Sequence, residues 1–383
     1  MRAARLHKVA TPFQVDEIDI PEPTGSDVLV RVRACGVVPN LRNVVYHYPE
    51  WFPDLPLPAL PAIYGLDPVG EVAAVGPNAS GLQIGQRVYV NPLRYCGTCD
   101  HCLSGTGLLC ANQTMAGYFG MGPKSHDIYA RYPWGGFAEY MIAPADSMVV
   151  LSDKVSFEAG ARFGYLGTSY SALCNAKAGV RTTVLVNGGT GTLGVGTVML
   201  ALAMGVPKII AVARNSELLE RVRALAPGRI EIMNAREGNL PERVRAATDG
   251  QGVDIVVDCL SAHSGSDPTM DGLMSLRRGG RLVFIGGMDH VLPMTPIYLM
   301  VQQISFIGSC WFTTSQAQDM ASMVDSGVLD LSALEHKIYE LEQLNEALVA
   351  AENRTHGGFE NIVVRPEISV GCRAAEIPTD EVG

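Results

Sequence analysis

Apolar and polar residues follow two different rhythms along this 383-residue chain. In roughly the first 150 residues they alternate in short runs. SDVLVRVRACG (26–36) sets Val28, Val30 and Val32 on one face of an extended segment and Leu29, Arg31 and Arg33 on the other, which predicts a half-buried strand. VGEVAAVGPNASGLQIGQRVYV (69–90) reads as strand, Gly/Pro turn and strand. From about Val180 continuous apolar runs take over: TTVLVN (182–187), KIIAVA (208–213), RIEIM (229–233), VDIVVD (253–258) and GRLVFIGG (280–287). Helical patterns such as SELLERVRAL (216–225) separate them. Strands buried on both faces and alternating with helices predict a parallel sheet covered on both sides. The expected fold is therefore α/β with two domains, a β-rich unit followed by a doubly wound one. After about residue 310 the elements are mixed and are expected to return to the first domain. The tail EISVGCRAAEIPTDEVG has little to pack and is expected to be loose.

Composition changes this picture only by exclusion. Apolar residues make up 47% and charged residues 18%, enough to bury two cores. The formal charge is 29 − 39 = −10 with no basic stripe, so nucleic acid is not an expected partner. The most apolar stretch, Thr182 to Ala213, is broken by a Gly cluster and has Pro207 near its end, so no membrane span is expected. MRAARLHKVATPFQVDEIDI has no apolar signal-peptide core, and nine cysteines, five of them scattered, suit reduced thiols in the cytoplasm.

Two motifs carry chemistry. The loop Gly189-Thr190-Gly191-Thr192-Leu193-Gly194 is a G-x-G-x-x-G between a predicted strand and a predicted helix. In that context the first Gly makes the turn, the second admits a pyrophosphate, and the third lets the helix pack on the strand, with free N–H groups facing the anion. The next strand runs into Ala213, Arg214 and Asn215. No carboxylate is there to repel a 2′-phosphate and a guanidinium is there to bind one, so NADP(H) is the expected cofactor. The alternative is that Arg214 merely faces solvent or stacks on adenine. In RYCGTCDHCLSGTGLLC (94–110), Cys96, Cys99, Cys102 and Cys110 are spaced to close a tetrahedral shell around one zinc ion, free thiols being the alternative.

Taken together, these features resemble the medium-chain dehydrogenase/reductase superfamily, in its zinc-type alcohol dehydrogenase branch. GGFAEYMIAPA (135–145) and GTSYSAL (167–173) match family segments, and the match extends to about residue 366. The resemblance implies a GroES-like catalytic domain (1–155) with a zinc lobe at about 94–112, and a Rossmann domain (156–308). A return to the catalytic domain (309–366) and the tail (367–383) complete the division. The four cysteines match the family's structural zinc site, whose closed shell leaves no open position for substrate. Thr168 falls where family members contact the nicotinamide, with a helix cap as its alternative role, and Gly286 is a further candidate cofactor-binding residue. A homodimer or homotetramer is expected by analogy.

The family's catalytic zinc site has no counterpart in these residues. Its first ligand position is Val38, its second falls in Gly65-Leu66-Asp67 at Leu66, and its third falls at about Gly164. Of this set only Asp67 offers a donor, and one carboxylate does not hold zinc in a cleft. Without a metal, charge on a substrate oxygen must be stabilised by a side chain or delocalised by the substrate. The expected activity is therefore NADPH-dependent reduction of a conjugated C=C bond in a small apolar or aromatic substrate. Asn40, Tyr46 and His47 are the candidate donors, in a segment (43–61) that also offers Tyr48, Trp51 and Phe52. A second aromatic segment (117–134) contributes Tyr118, Phe119 and Trp134, with plain aromatic packing as the alternative for each. A carbonyl reductase with a Tyr or His acid, and a dinucleotide-binding protein without turnover, are the competing functions.

Overall fold

The computed structural model of the chain describes residues 1–367. Its first large sheet has seven strands, six of them in the order Met148–Val150, Arg87–Val90, Asp67–Val75, Asp27–Gly36, Glu360–Arg365, Glu335–Glu340, with Tyr140–Pro144 also pairing with Asp27–Gly36. The predicted inward face holds, with Val28, Val30 and Val32 fully buried, but the other face is only partly open: Arg31 is exposed and Arg33 half-buried, whereas Leu29 is buried against Tyr132 and Ile142. The late return takes the form of antiparallel pairing of Gly36 with Val363 and of Cys35 with Val364. Two short helices interrupt the aromatic segment after this sheet: α1 (Leu41–Tyr46) and a single turn at Tyr48–Trp51. The second aromatic segment likewise contains a short helix, Ser125–Arg131.

The second sheet is wholly parallel. We label its strands β1 (Thr183–Asn187), β2 (Lys208–Ala213), β3 (Ile230–Asn234), β4 (Val253–Asp258), β5 (Leu276–Phe284) and β6 (Ser305–Gly308). Their order is 3-2-1-4-5-6, so strand order reverses between β1 and β4. Val184 and Val186 of β1 face the core shared with the first sheet, whereas Leu185 faces the core on the other side. A strand with two buried faces needs this continuous apolar run. Helix α2 (Phe163–Asn175) leads into the sheet, α3 (Thr192–Ala203) follows β1, and α4 (Ser216–Ala224) follows β2. The stretch from Thr182 to Ala213 is thus strand, helix and strand, and no helix among the described residues is long and apolar enough to cross a membrane.

β6 lies outside the apolar runs that mark the other strands. It is the edge strand, and three of its four residues are exposed. Of the tail, residues 368–383 lie outside the described residues.

Candidate active site and cysteine lobe

The glycine loop sits at the switch point between β1 and β4. The sharp turn is made at Gly188, with φ +79°, rather than at Gly189 as the motif alone suggests. Gly194 is the close-packing glycine: a Cβ there would lie 2.2 Å from the Gly188 carbonyl oxygen. Gly191 is the N-cap of α3 with no side-chain cap, which leaves the helix's first N–H groups free for a ligand. Gly286 sits equally tightly at the end of β5, where a Cβ would meet the Leu260 carbonyl oxygen at 2.1 Å.

Two arginines flank this helix end. Arg162 Nη2 donates to the Thr192 carbonyl at 3.1 Å and to the Gly358 carbonyl at 2.7 Å, while its buried Nε has no partner among the described residues. Burial, and after it the neighbouring Arg354, lower its pKa to about 9. Arg354, from the returning segment, donates to Thr192 Oγ1 and to the Ala351 carbonyl. Neither guanidinium pairs with a carboxylate among the described residues. Two desolvated cations at a free helix N-terminus fit a pyrophosphate. Leu193 and Thr190 complete the loop, and the Gly358 N–H donates to the Thr190 carbonyl at 2.8 Å.

At the end of β2, Arg214 is exposed, and the Asn215 side chain is engaged in capping α4, accepting from the Leu218 N–H at 3.1 Å. Thr168 caps no helix. It lies within α2, and its hydroxyl donates to the Gly164 carbonyl at 2.9 Å.

The cleft floor, where family members hold the catalytic metal, is occupied. Val38 and Leu66 are buried in the core. The Asp67 carboxyl lies over Gly164, so close that a Cβ there would be 2.0 Å from Asp67 Oδ1. Tyr89 donates to Asp67 Oδ1 at 2.9 Å, and the Gly164 N–H also bonds this carboxyl. Burial nevertheless raises the Asp67 pKa to about 7. The neighbouring Cys35 thiol is pushed well up by burial and by Asp67. These side chains do not fit a zinc ion: two offer no lone pair, and the space of the third is filled.

Above the floor, Asn40 organises a polar cluster. Its Nδ2 donates to the hydroxyls of Tyr48 at 2.7 Å and Tyr118 at 3.2 Å, and its Oδ1 accepts from Asn43 Nδ2 at 2.9 Å. Burial raises the pKa of both phenols, so they are protonated donors. Phe52 and Phe119 pack on Tyr48 with ring centroids 4.9 and 5.8 Å away. The structure does not bring Tyr46 or His47 into this hydrogen-bonded group. Tyr46 lies under the Arg42 guanidinium, which is paired with Glu352, and His47 is exposed and stacked on Trp51 at 4.8 Å. Tyr165 and the two arginines carried no signal in the sequence. Tyr165 lies in α2, Arg162 just before it and Arg354 in the returning segment, and only the fold brings them together.

In the lobe at 94–110 the four cysteine sulfurs all lie within 4.8 Å of one another, with Cys96–Cys110, Cys96–Cys102 and Cys99–Cys102 at 3.6, 3.9 and 3.5 Å. A tetrahedral zinc site with bonds of about 2.3 Å has sulfur–sulfur edges of about 3.8 Å, so the donor set fits zinc. The N–H groups of Thr98 and Cys99 lower the Cys96 pKa to about 6, whereas burial pushes Cys102 up to about 12.

A 3-2-1-4-5-6 parallel sheet with a glycine turn at its switch point defines a dinucleotide-binding fold, here joined to a mainly antiparallel domain. Residues 24–153 match the alcohol dehydrogenase GroES-like domain family, and residues 192–326 match the zinc-binding dehydrogenase family. The chain is 31% identical over 352 residues to an alcohol dehydrogenase of Geobacillus stearothermophilus, covering 90% of this chain and 94% of that one. It is 28% identical over 369 residues to a human quinone oxidoreductase, covering 93% and 94%. A solved NAD-dependent alcohol dehydrogenase superposes with a TM-score of 0.79 at 26% identity, over 96% of this chain and 100% of that one. The chain belongs to the medium-chain dehydrogenase/reductase superfamily, in its zinc-type alcohol dehydrogenase branch, and is an oxidoreductase.

Proposed function

We propose that this oxidoreductase reduces a conjugated C=C bond with NADPH and without a catalytic metal. The observation that carries the reading is the cleft floor, where Val38, Leu66 and the Asp67 carboxyl over Gly164 stand at the family's metal-ligand positions. A floor of valine and leucine side chains beside a buried carboxyl penalises a localised oxyanion, and a conjugated acceptor spreads that charge. The aromatic side chains around Tyr48 suit a flat, apolar substrate. When bound, the nicotinamide supplies the hydride. The chain's own residues do the rest: Arg162, Arg354 and the α3 N-terminus hold the diphosphate, and Arg214 holds the 2′-phosphate. Asn40 orients the Tyr48 and Tyr118 hydroxyls, whose O–H groups face the substrate oxygen. Cys96, Cys99, Cys102 and Cys110 hold one structural zinc. The assembly is a cytoplasmic homodimer or homotetramer.

A second reading, reduction of a simple carbonyl with a phenol as acid, is favoured by the same pair of protonated tyrosines. Monitoring NADPH oxidation with a panel of enones, quinones and ketones separates the two. Turnover confined to enones and quinones supports the first, turnover of saturated ketones supports the second, and tight NADPH binding with no turnover overturns both.

A further inference from the structure

From Phe163 to Ser171 helix α2 is buried at every position except two, Tyr165 and Thr168. Three residues apart, they share one face of the helix. The Thr168 hydroxyl is committed to the Gly164 carbonyl. The Tyr165 hydroxyl has no hydrogen-bond partner among the described residues, so it is the one free polar group this stretch presents. The Arg162 guanidinium lies 5.4 Å from its ring centroid, and Arg354, Tyr48, Tyr118 and Asp67 are all within electrostatic reach. Tyr165 therefore stands between the arginines at the cofactor-phosphate end and the Asn40 cluster at the substrate end. Burial keeps it protonated, and the two guanidinium groups favour a transient phenolate.

We propose that Tyr165 is a catalytic residue that donates a hydrogen bond, and then its proton, to the substrate oxygen on which charge develops. This assignment rests on the reductase reading above. As the substrate accepts a hydride at its electron-poor carbon from the dihydronicotinamide, which is oxidised, the C=C electrons shift and the carbonyl becomes an enolate. The Tyr165 O–H bond breaks as the enol O–H bond forms. Water then reprotonates the phenolate, and the enol takes a proton at carbon from solvent while its O–H proton is released to solvent as the C=O bond re-forms. Tyr165 supplies at the oxygen the charge stabilisation that a metal supplies elsewhere in the family.

The test uses 4-nitrophenol as an oxyanion analogue, titrated by absorbance into the intact protein, beside Tyr165→Phe. Wild type should bind the phenolate form and lower the apparent pKa of the bound probe. Y165F should bind phenolate about tenfold more weakly or worse, since hydrogen bonds to charged acceptors are the strong ones. NADPH affinity and melting temperature should stay unchanged. If Y165F does not fold, Tyr165→Leu is read the same way. Equal phenolate binding by wild type and variant overturns the assignment even where enone turnover is found. Absence of enone turnover in wild type, with the tenfold phenolate difference intact, instead overturns the proposed reaction and keeps Tyr165 as the donor.

Discussion

The cysteine lobe and the cleft floor correspond to two metal positions of one family architecture, and in this chain they are built in opposite ways. In the lobe four sulfurs converge at the edge lengths of a zinc tetrahedron, on a loop whose own N–H groups lower the Cys96 pKa. On the cleft floor Val38 and Leu66 pack into the core, and a buried carboxyl has moved into the space a third ligand would need. A binding position is erased more firmly by filling its volume than by removing its donors. Asp67 and Gly164 now form a matched pair, held by Tyr89, that leaves a ligand side chain no room.

The largest test of this contrast is Cys96→Ser with Cys99→Ser. Structural zinc contributes on the order of 10 kcal/mol of metal-coupled folding energy in small sites. The double variant should lose its bound zinc in elemental analysis and lose soluble, cooperatively melting protein. On the cleft floor the opposite substitution should do harm. Gly164→Cys, which nominally restores a ligand, should cost about 3 kcal/mol through overpacking against Asp67, read as a lower midpoint in urea unfolding. It should also gain no metal.

Asp67 gives the comparison a pH dependence. Its folded pKa, about 7, is raised above the ordinary carboxyl range by burial. The folded state therefore holds a proton that the unfolded state releases, and this group's contribution is present at low pH and lost as pH rises toward 7. Relative to Asp67→Asn, wild type should lose about 1.4 kcal/mol of stability for each pH unit between about 4 and 7. A constant difference between the two proteins across that range would contradict the burial of this carboxyl. The smallest effect is expected at the exposed cofactor edge, where Arg214→Ala should weaken NADPH binding about tenfold and leave NADH binding unchanged in fluorescence titrations.

The contrast also marks what the sequence made legible. Five of the six parallel strands, the inward face of Asp27–Gly36 and the cysteine quartet were readable because each is written in local spacing. The edge strand Ser305–Gly308 was missed, since an edge needs no continuous apolar run. The polar cluster was read only in part. Asn40 was singled out, but its partners Tyr48 and Tyr118 lie 8 and 78 residues away, and adjacent Tyr46 and His47 look equivalent in sequence. The helical turn at Tyr48–Trp51 sorts them, placing Tyr48 against Asn40 and stacking His47 on Trp51 at the surface. Arg162 was invisible for a related reason: its partners are carbonyls of Thr192 and Gly358, which no side-chain pattern announces.

The central claim is that this cleft works without a metal, and the most direct measurement is metal content against turnover in the same samples during dialysis with a mild chelator. The account predicts one zinc per chain, retained by the cysteine lobe, and NADPH-dependent enone reduction that does not change. A second metal ion that leaves first and takes turnover with it, while the lobe zinc and the melting temperature stay, would contradict it.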